Sequence, residues 1–198
     1  MAYTNFTFEN LEDQFGIAFK IKPLFPKKIK SVKPSAHLVE TIKRSASLNV
    51  RVEKARSEFL IAPIMAEIKI RNDDRIDMFS GENLLADIKL GLNGEVDFIL
   101  TNVPHSPLIK APIIAVIEAK RADLDLNQPQ CADQIIGTKV FNENANKPLP
   151  TYFGCVTTGR EWQFLQLLGD TIYIDQRVYL LTELPVLLGV FQHIIELY

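Results

Sequence analysis

Three residues carry the chemistry of greatest interest, Asp97, Glu118 and Lys120. Glu118 and Lys120 close the apolar run IIAVIEAK, and they stand two apart. On a strand, alternation puts both on one face. A run that apolar fits a central strand buried on both sides. Burying a carboxylate or an ammonium there is costly without partners. Asp97 lies in the preceding apolar stretch, EVDFIL. If the two strands pair, the two carboxylates converge. Two hard oxygen ligands with water are what Mg2+ takes beside a phosphate. Lys120 would then stabilise or deprotonate a water held by the ion. The alternative reading is a structural salt bridge at a strand end.

The surrounding elements must position these side chains. FENLEDQ predicts a short helix stopped by Gly16, and Pro23, Pro26 and Pro34 deny a regular helix to KIKPLFPKKIKSVKPS. A short helix is expected from Ser35 to about Arg44. Ser47 reads as the N-cap of a longer helix over residues 48–69, kinked at Pro63. NLLADIKL, a tight turn at Gly91-Leu92-Asn93-Gly94, and EVDFIL predict a hairpin. IIAVIEAK gives a third strand, and QPQCADQIIGTKVFNE has helical periodicity. TYFGCVTT, EWQFLQLL and TIYID read as a strand meander, and LPVLLGVFQHIIELY as a closing apolar helix. The expected class is α/β (α+β), a central mixed sheet flanked by helices. We divide the chain into a basic N-terminal arm, 1–34, and a domain, 35–198.

This order of elements and residues resembles the PD-(D/E)XK nuclease superfamily. Asp97, twenty residues, then Glu118-Ala119-Lys120 matches its signature, although Val96 stands where a proline gives the superfamily its name. Glu58, in ARSEFLIAPIMAEI, matches the upstream helical glutamate that often completes the site. Gln130 and Gln134, in QPQCADQ, match the glutamines of the helix that commonly comes after the lysine. With LNGEVDFIL, VIEAKRADLDLNQPQC, VFNE and VTTGREWQFLQL, the resemblance covers about residues 47–168 and is similar to small stand-alone bacterial members related to type I restriction nuclease domains. It implies a restriction endonuclease-like core and Mg2+-dependent hydrolysis of DNA, with Mn2+ as a substitute. Asp97, Glu118 and the Ala119 carbonyl would hold the ion, and Lys120 would activate the water. Glu58 would hold a further water or ion, and Gln130 would position Lys120 or a phosphate. Glu58 as a solvent-facing residue and Gln130 as plain helix surface remain open. The alternative function is a non-catalytic, nucleic-acid-binding or complex-forming subunit of the same fold, with an unidentified protein partner.

Composition bounds the rest. The formal net charge is -2. From Lys20 to Arg56, however, eleven Lys/Arg face two acids, a net of +9, while the remainder carries 11 against 22, a net of -11. Such a segment can offer phosphate a local surface in an acidic protein. No apolar run reaches the roughly 18 residues of a bilayer span, and no membrane association is expected. The start lacks a signal-peptide pattern, and two cysteines make no disulfide framework; a reduced, cytoplasmic protein is expected. His37, His105 and His193 match no metal spacing, and no Walker loop, dinucleotide fingerprint or G-x-S-x-G is present. The apolar residues of the last helix cover more than one face, which predicts a homodimer through that helix or the neighbouring meander.

Overall fold

The structure is a computed structural model, and it describes residues 6–198. In chain order the elements are α1 (Phe8–Phe15), β1 (Ala18–Lys22), α2 (Ala36–Ser45), α3 (Glu53–Arg56), a π turn (Ser57–Ile61), α4 (Ala62–Arg71), β2 (Asp77–Asp87), β3 (Leu92–Thr101) and β4 (Ile113–Ala119). Then come α5 (Leu124–Asn144), β5 (Tyr152–Thr157), β6 (Glu161–Leu168), β7 (Thr171–Leu180), a 3-10 turn (Leu181–Glu183) and α6 (Leu184–Glu196). The seven strands form one mixed sheet in the order β1-β7-β6-β5-β4-β3-β2. The β4–β5 and β1–β7 pairs are parallel and the others antiparallel. The expected α+β class, a mixed sheet flanked by helices, is what the chain forms. No helix among the described residues is long and apolar enough to cross a membrane.

Two cores bracket the sheet. One packs α4 and α6 on strand residues such as Phe98, Ile117 and Trp162. The other packs α1 and α5 on Ile99, Val116 and Leu165. β4 is buried along its whole length, which is why its sequence is apolar at successive rather than alternate positions. α5 lies close against β5 because Gly154 leaves room for it. A Cβ there would meet Ile135 Cδ1 at 2.5 Å and Cys131 Sγ at 2.6 Å.

Local chemistry explains where expectation and structure agree. Gly16, at φ 66°, ends α1 in the left-handed cap that only glycine adopts freely. Ser35 caps α2 through its side chain, which accepts from the Leu38 N–H. Four expectations shift. Ser47 is no N-cap; its hydroxyl donates to the Arg44 carbonyl, and the long helix starts at Glu53 instead. The irregularity expected at Pro63 takes the form of a π turn. Pro63 lacks an N–H, and its ring would crowd the carbonyl four residues back. The backbone widens into a π turn over 57–61 directly before it, with Ala62 N–H donating to Ser57 O. The hairpin turn falls at 88–91, not 91–94, because the Asp87 carboxylate accepts from both Lys89 and Leu90 N–H and closes the turn early. Gly94 is therefore strand.

The fourth shift concerns the N-terminal segment and α6. β1 joins the sheet as its edge, parallel to β7, and Phe25 sits in the α6-side core. Ile29 and Val32 of the same segment pack there too. The Val32 N–H donates to Pro185 O, and a Cβ on Gly189 would meet Lys30 O at 2.4 Å. Leu184, Leu187, Leu188, Val190, Phe191, Ile194 and Ile195 are all buried. The apolar faces of α6 that pointed to a homodimer are covered by the chain's own arm and sheet, so α6 gives no ground for dimerisation.

Candidate active site

The site begins with strand register. β3 and β4 run antiparallel with Phe98 opposite Ile117 and Ile99 opposite Val116. One step further brings Asp97 opposite Glu118. The contact is closed by the backbone: Ala119 N–H donates to Asp97 Oδ2 at 2.8 Å. Lys120 N–H donates to Thr157 O at 2.7 Å, which fixes the end of β4 against β5.

Glu118 keeps 4% of its surface exposed, and three donors serve its carboxylate. Oε1 accepts from Lys120 Nζ at 2.7 Å and from Gln130 Nε2 at 2.6 Å. Oε2 accepts from Gln134 Nε2 at 2.6 Å. Gln130 and Gln134 lie one turn apart on α5, so both amides reach the same carboxylate. The close seat of α5 on Gly154 is what brings that helix face down to β4 and β5.

Electrostatics arise from crowding. Burial lifts the Glu118 carboxyl above its usual range, and the neighbouring Asp97 lifts it further; Lys120 and Gln134 oppose the rise. Burial likewise raises Asp97, against the Ala119 N–H and Lys120, with Glu53 and Glu95 adding to the rise. For Lys120, burial works against the ammonium, but Glu118, Glu53 and Asp97 outweigh it and hold its pKa above the ordinary value. Two acids share one ammonium in a half-dry setting.

The donor set has the chemistry of a hard divalent cation. Asp97 and Glu118 offer carboxylate oxygens, and burial is the main cause of their raised pKa values, with neighbouring acids adding to it. Among the described residues no cluster of three or more His, Cys, Asp and Glu has a metal-holding arrangement. An ion here would complete its shell with water, phosphate or the Ala119 carbonyl, as Mg2+ commonly does with one or two carboxylates.

Asp97, Glu118, Ala119, Lys120 and Gln130 are thus brought together. Glu58 is not joined to them by a hydrogen bond or ion pair. It lies in the π turn, its side chain about half exposed, with Lys54 Nζ 3.9 Å away. The helical acid whose charge acts on the cluster is Glu53, at the first turn of α3. The sequence marked Glu53 only as one of two acids in a basic segment. The true start of the helix, five residues later than Ser47 suggested, is the signal that would have singled it out. Gln134 takes as full a part as Gln130.

A scan of known protein families returns no match to this chain. No curated protein matches its sequence either.

Proposed function

We propose that this protein hydrolyses DNA phosphodiester bonds with a divalent ion, Mg2+ or in its place Mn2+, at Asp97, Glu118 and Lys120. The observation that carries the reading is the state of Glu118, a buried carboxylate kept beside a second carboxylate by three donors, one of them the lysine two residues on. A structural salt bridge needs one acid and one base. Here a second acid is retained at a desolvation cost, which a divalent cation bound between the two carboxylates would offset.

In this reading Asp97 and Glu118 hold the ion, with the Ala119 carbonyl as a third oxygen. When bound, the ion neutralises charge that builds on the scissile phosphate and acidifies a water. Lys120, tethered to Glu118, orients the attacking water and steadies the hydroxide character it gains. Gln130 and Gln134 fix the Glu118 carboxylate in one rotamer and so fix Lys120. Glu53 is the better candidate for the outer helical acid than Glu58, because its charge reaches Asp97 and Lys120. The resemblance to PD-(D/E)XK nucleases supports the same assignment and implies products with a 5′-phosphate and a 3′-hydroxyl.

The test is incubation of the purified protein with plasmid and linear DNA, with and without Mn2+, beside Lys120→Ala. Metal-dependent cleavage lost in the variant is the expected result. Equal cleavage by both would assign the activity to a contaminant and withdraw the reading. DNA binding without cleavage by the unaltered protein would favour a binding subunit.

A further inference from the structure

A cavity of about 850 Å³ opens directly beside this site. Arg121, Ala122 and Asp123, the residues directly after Lys120, form part of its wall, and Thr158 and Arg160, just past β5, form another. Its apolar floor includes Ile42, Leu60 and Leu181. The charged side chains around it are Arg56, Arg121 and Arg160 against Asp123 and Glu161. Asp123 is engaged as the cap of α5, accepting from the Leu126 N–H.

The state of the arginines is the informative part. The chain has eight. Arg44, Arg71 and Arg177 pair with Glu40, Glu67 and Glu183. Arg75 donates to Ile195 O, and Arg56 donates to Val50 O and Thr158 O. The remaining three, Arg51, Arg121 and Arg160, have no side-chain hydrogen bond or ion pair among the described residues. Arg121 and Arg160 line this cavity, and Arg51 lines an adjoining hollow that also includes Arg121. Everywhere else on the molecule a guanidinium is used by the protein; here three are left with their forked donors open. A planar fork of N–H groups over an apolar floor matches phosphate oxygens and base faces together.

We infer that this cavity is the docking site for an unpaired DNA strand that leads into the carboxylate cluster, with Arg121 and Arg160 on its phosphates and the aliphatic floor under its bases. The inference rests on the nuclease reading above for the identity of the polymer. The hollow has room for a nucleotide or two, the scale at which sites enclose a single small molecule, and its apolar floor suits exposed base faces, which a paired and stacked duplex keeps inside. Among the described residues no aromatic ring lines the cavity, so bases rest on aliphatic groups and guanidinium planes. The substrate class is therefore DNA with a single-stranded end, flap or gap.

The test is fluorescence anisotropy in EDTA, where binding is read without cleavage. The probes are a labelled single-stranded 12-mer and the same sequence closed in a blunt hairpin. The proteins are wild type, R121A/R160A and, as a control of equal charge outside the basic segment, R75A/R177A. The single strand is expected to bind the wild type at least about ten-fold more tightly than the hairpin. R121A/R160A should lose most of that advantage, and its log–log salt slope should fall by about 1.4, the value for two phosphate contacts on a single strand. R75A/R177A should bind as wild type. Ala46→Trp, which fills the cavity from an exposed position, should weaken the single strand and leave the charge intact. Unchanged single-strand binding in both R121A/R160A and A46W, or tighter hairpin binding by the wild type, overturns the inference. Arginine-dependent strand binding by a wild-type protein that never cleaves with Mn2+ would refute the nuclease reading while this one stands. Cleavage by a wild type whose binding ignores both variants would do the reverse.

Discussion

Glu118 and Asp133 are both buried acids, one on β4 and the other on the helix that covers it, and they are held in opposite ways. Glu118 has three donors on its two oxygens. Asp133 has no exposed surface and no hydrogen-bond partner for either oxygen. Burial alone lifts its pKa to about 8, with no neighbouring charge contributing. Burial therefore favours the neutral acid at Asp133, which no donor serves. Glu118 is lifted too, but it keeps an ammonium and two amides aimed at it. The lesson is that burial of an acid does not mark a site. What marks one is burial together with donors that the structure has gathered and held.

The largest effect should come from removing a gathered donor. Lys120→Ala is expected to reduce metal-dependent cleavage by about 10²–10⁴-fold, the range for a positioned acid or base. Single-turnover rates at saturating Mn2+ would measure it. The matching change on the other side of the comparison, Asp133→Asn, should leave cleavage unaltered. If Asp133→Asn abolished cleavage in a folded protein, the contrast between the two acids would collapse.

Asp133 should matter for stability instead. Its folded-state pKa lies above the unfolded value, so its contribution is fully present below about pH 4 and is lost as pH rises through about 8. Asp133→Asn should therefore gain on wild type across that window, on the order of a few kcal/mol at its upper end. Denaturant unfolding at pH 4, 6 and 8 would show it. Parallel stabilities at all three values would mean that Asp133 finds a partner in solution.

A smaller effect is expected from the amides. Gln134→Ala removes one of three donors to a buried carboxylate and should cost about 1–3 kcal/mol of stability. It should lower cleavage by loosening Glu118 and Lys120, and Gln134→Glu should not restore it, because a third acid repels Glu118. The smallest effect separates two helical acids. Glu53→Gln should change cleavage several-fold, since its charge acts on Asp97 and Lys120. Glu58→Gln, whose partner is the exposed Lys54, should be close to neutral, as expected of an exposed ion pair. The reverse ranking in parallel rate assays would return the role to Glu58.

Much of this site can be read from the sequence because strands are simple. Period-two alternation put Glu118 and Lys120 together, and an apolar run long enough to be buried placed them at its end. Gln130 and Gln134 come from helical spacing. Elsewhere local signals competed. Ser47 has the chemistry of a cap but spends its hydroxyl on the preceding turn. Asp87 closes the hairpin before the glycines that suggested the turn. β1 was hidden because AFKIK is only five residues long, pairs along one edge alone, and runs directly into Pro23 and Pro26. The cover over α6 depends on contacts between Lys30 and Gly189, far apart in the chain, which no local pattern reveals.

The central claim is that Asp97 and Glu118 form one divalent-ion site, and thermal unfolding with Mn2+ tests it most directly. At 100 times its dissociation constant, an ion bound only by the folded state stabilises by about 2.7 kcal/mol. For a domain of this size that is a rise of about 5–11 °C in the midpoint. Wild type should show this rise, Lys120→Ala should keep it, and Asp97→Asn should lose it. No rise in wild type, or an equal rise in Asp97→Asn, would contradict the account.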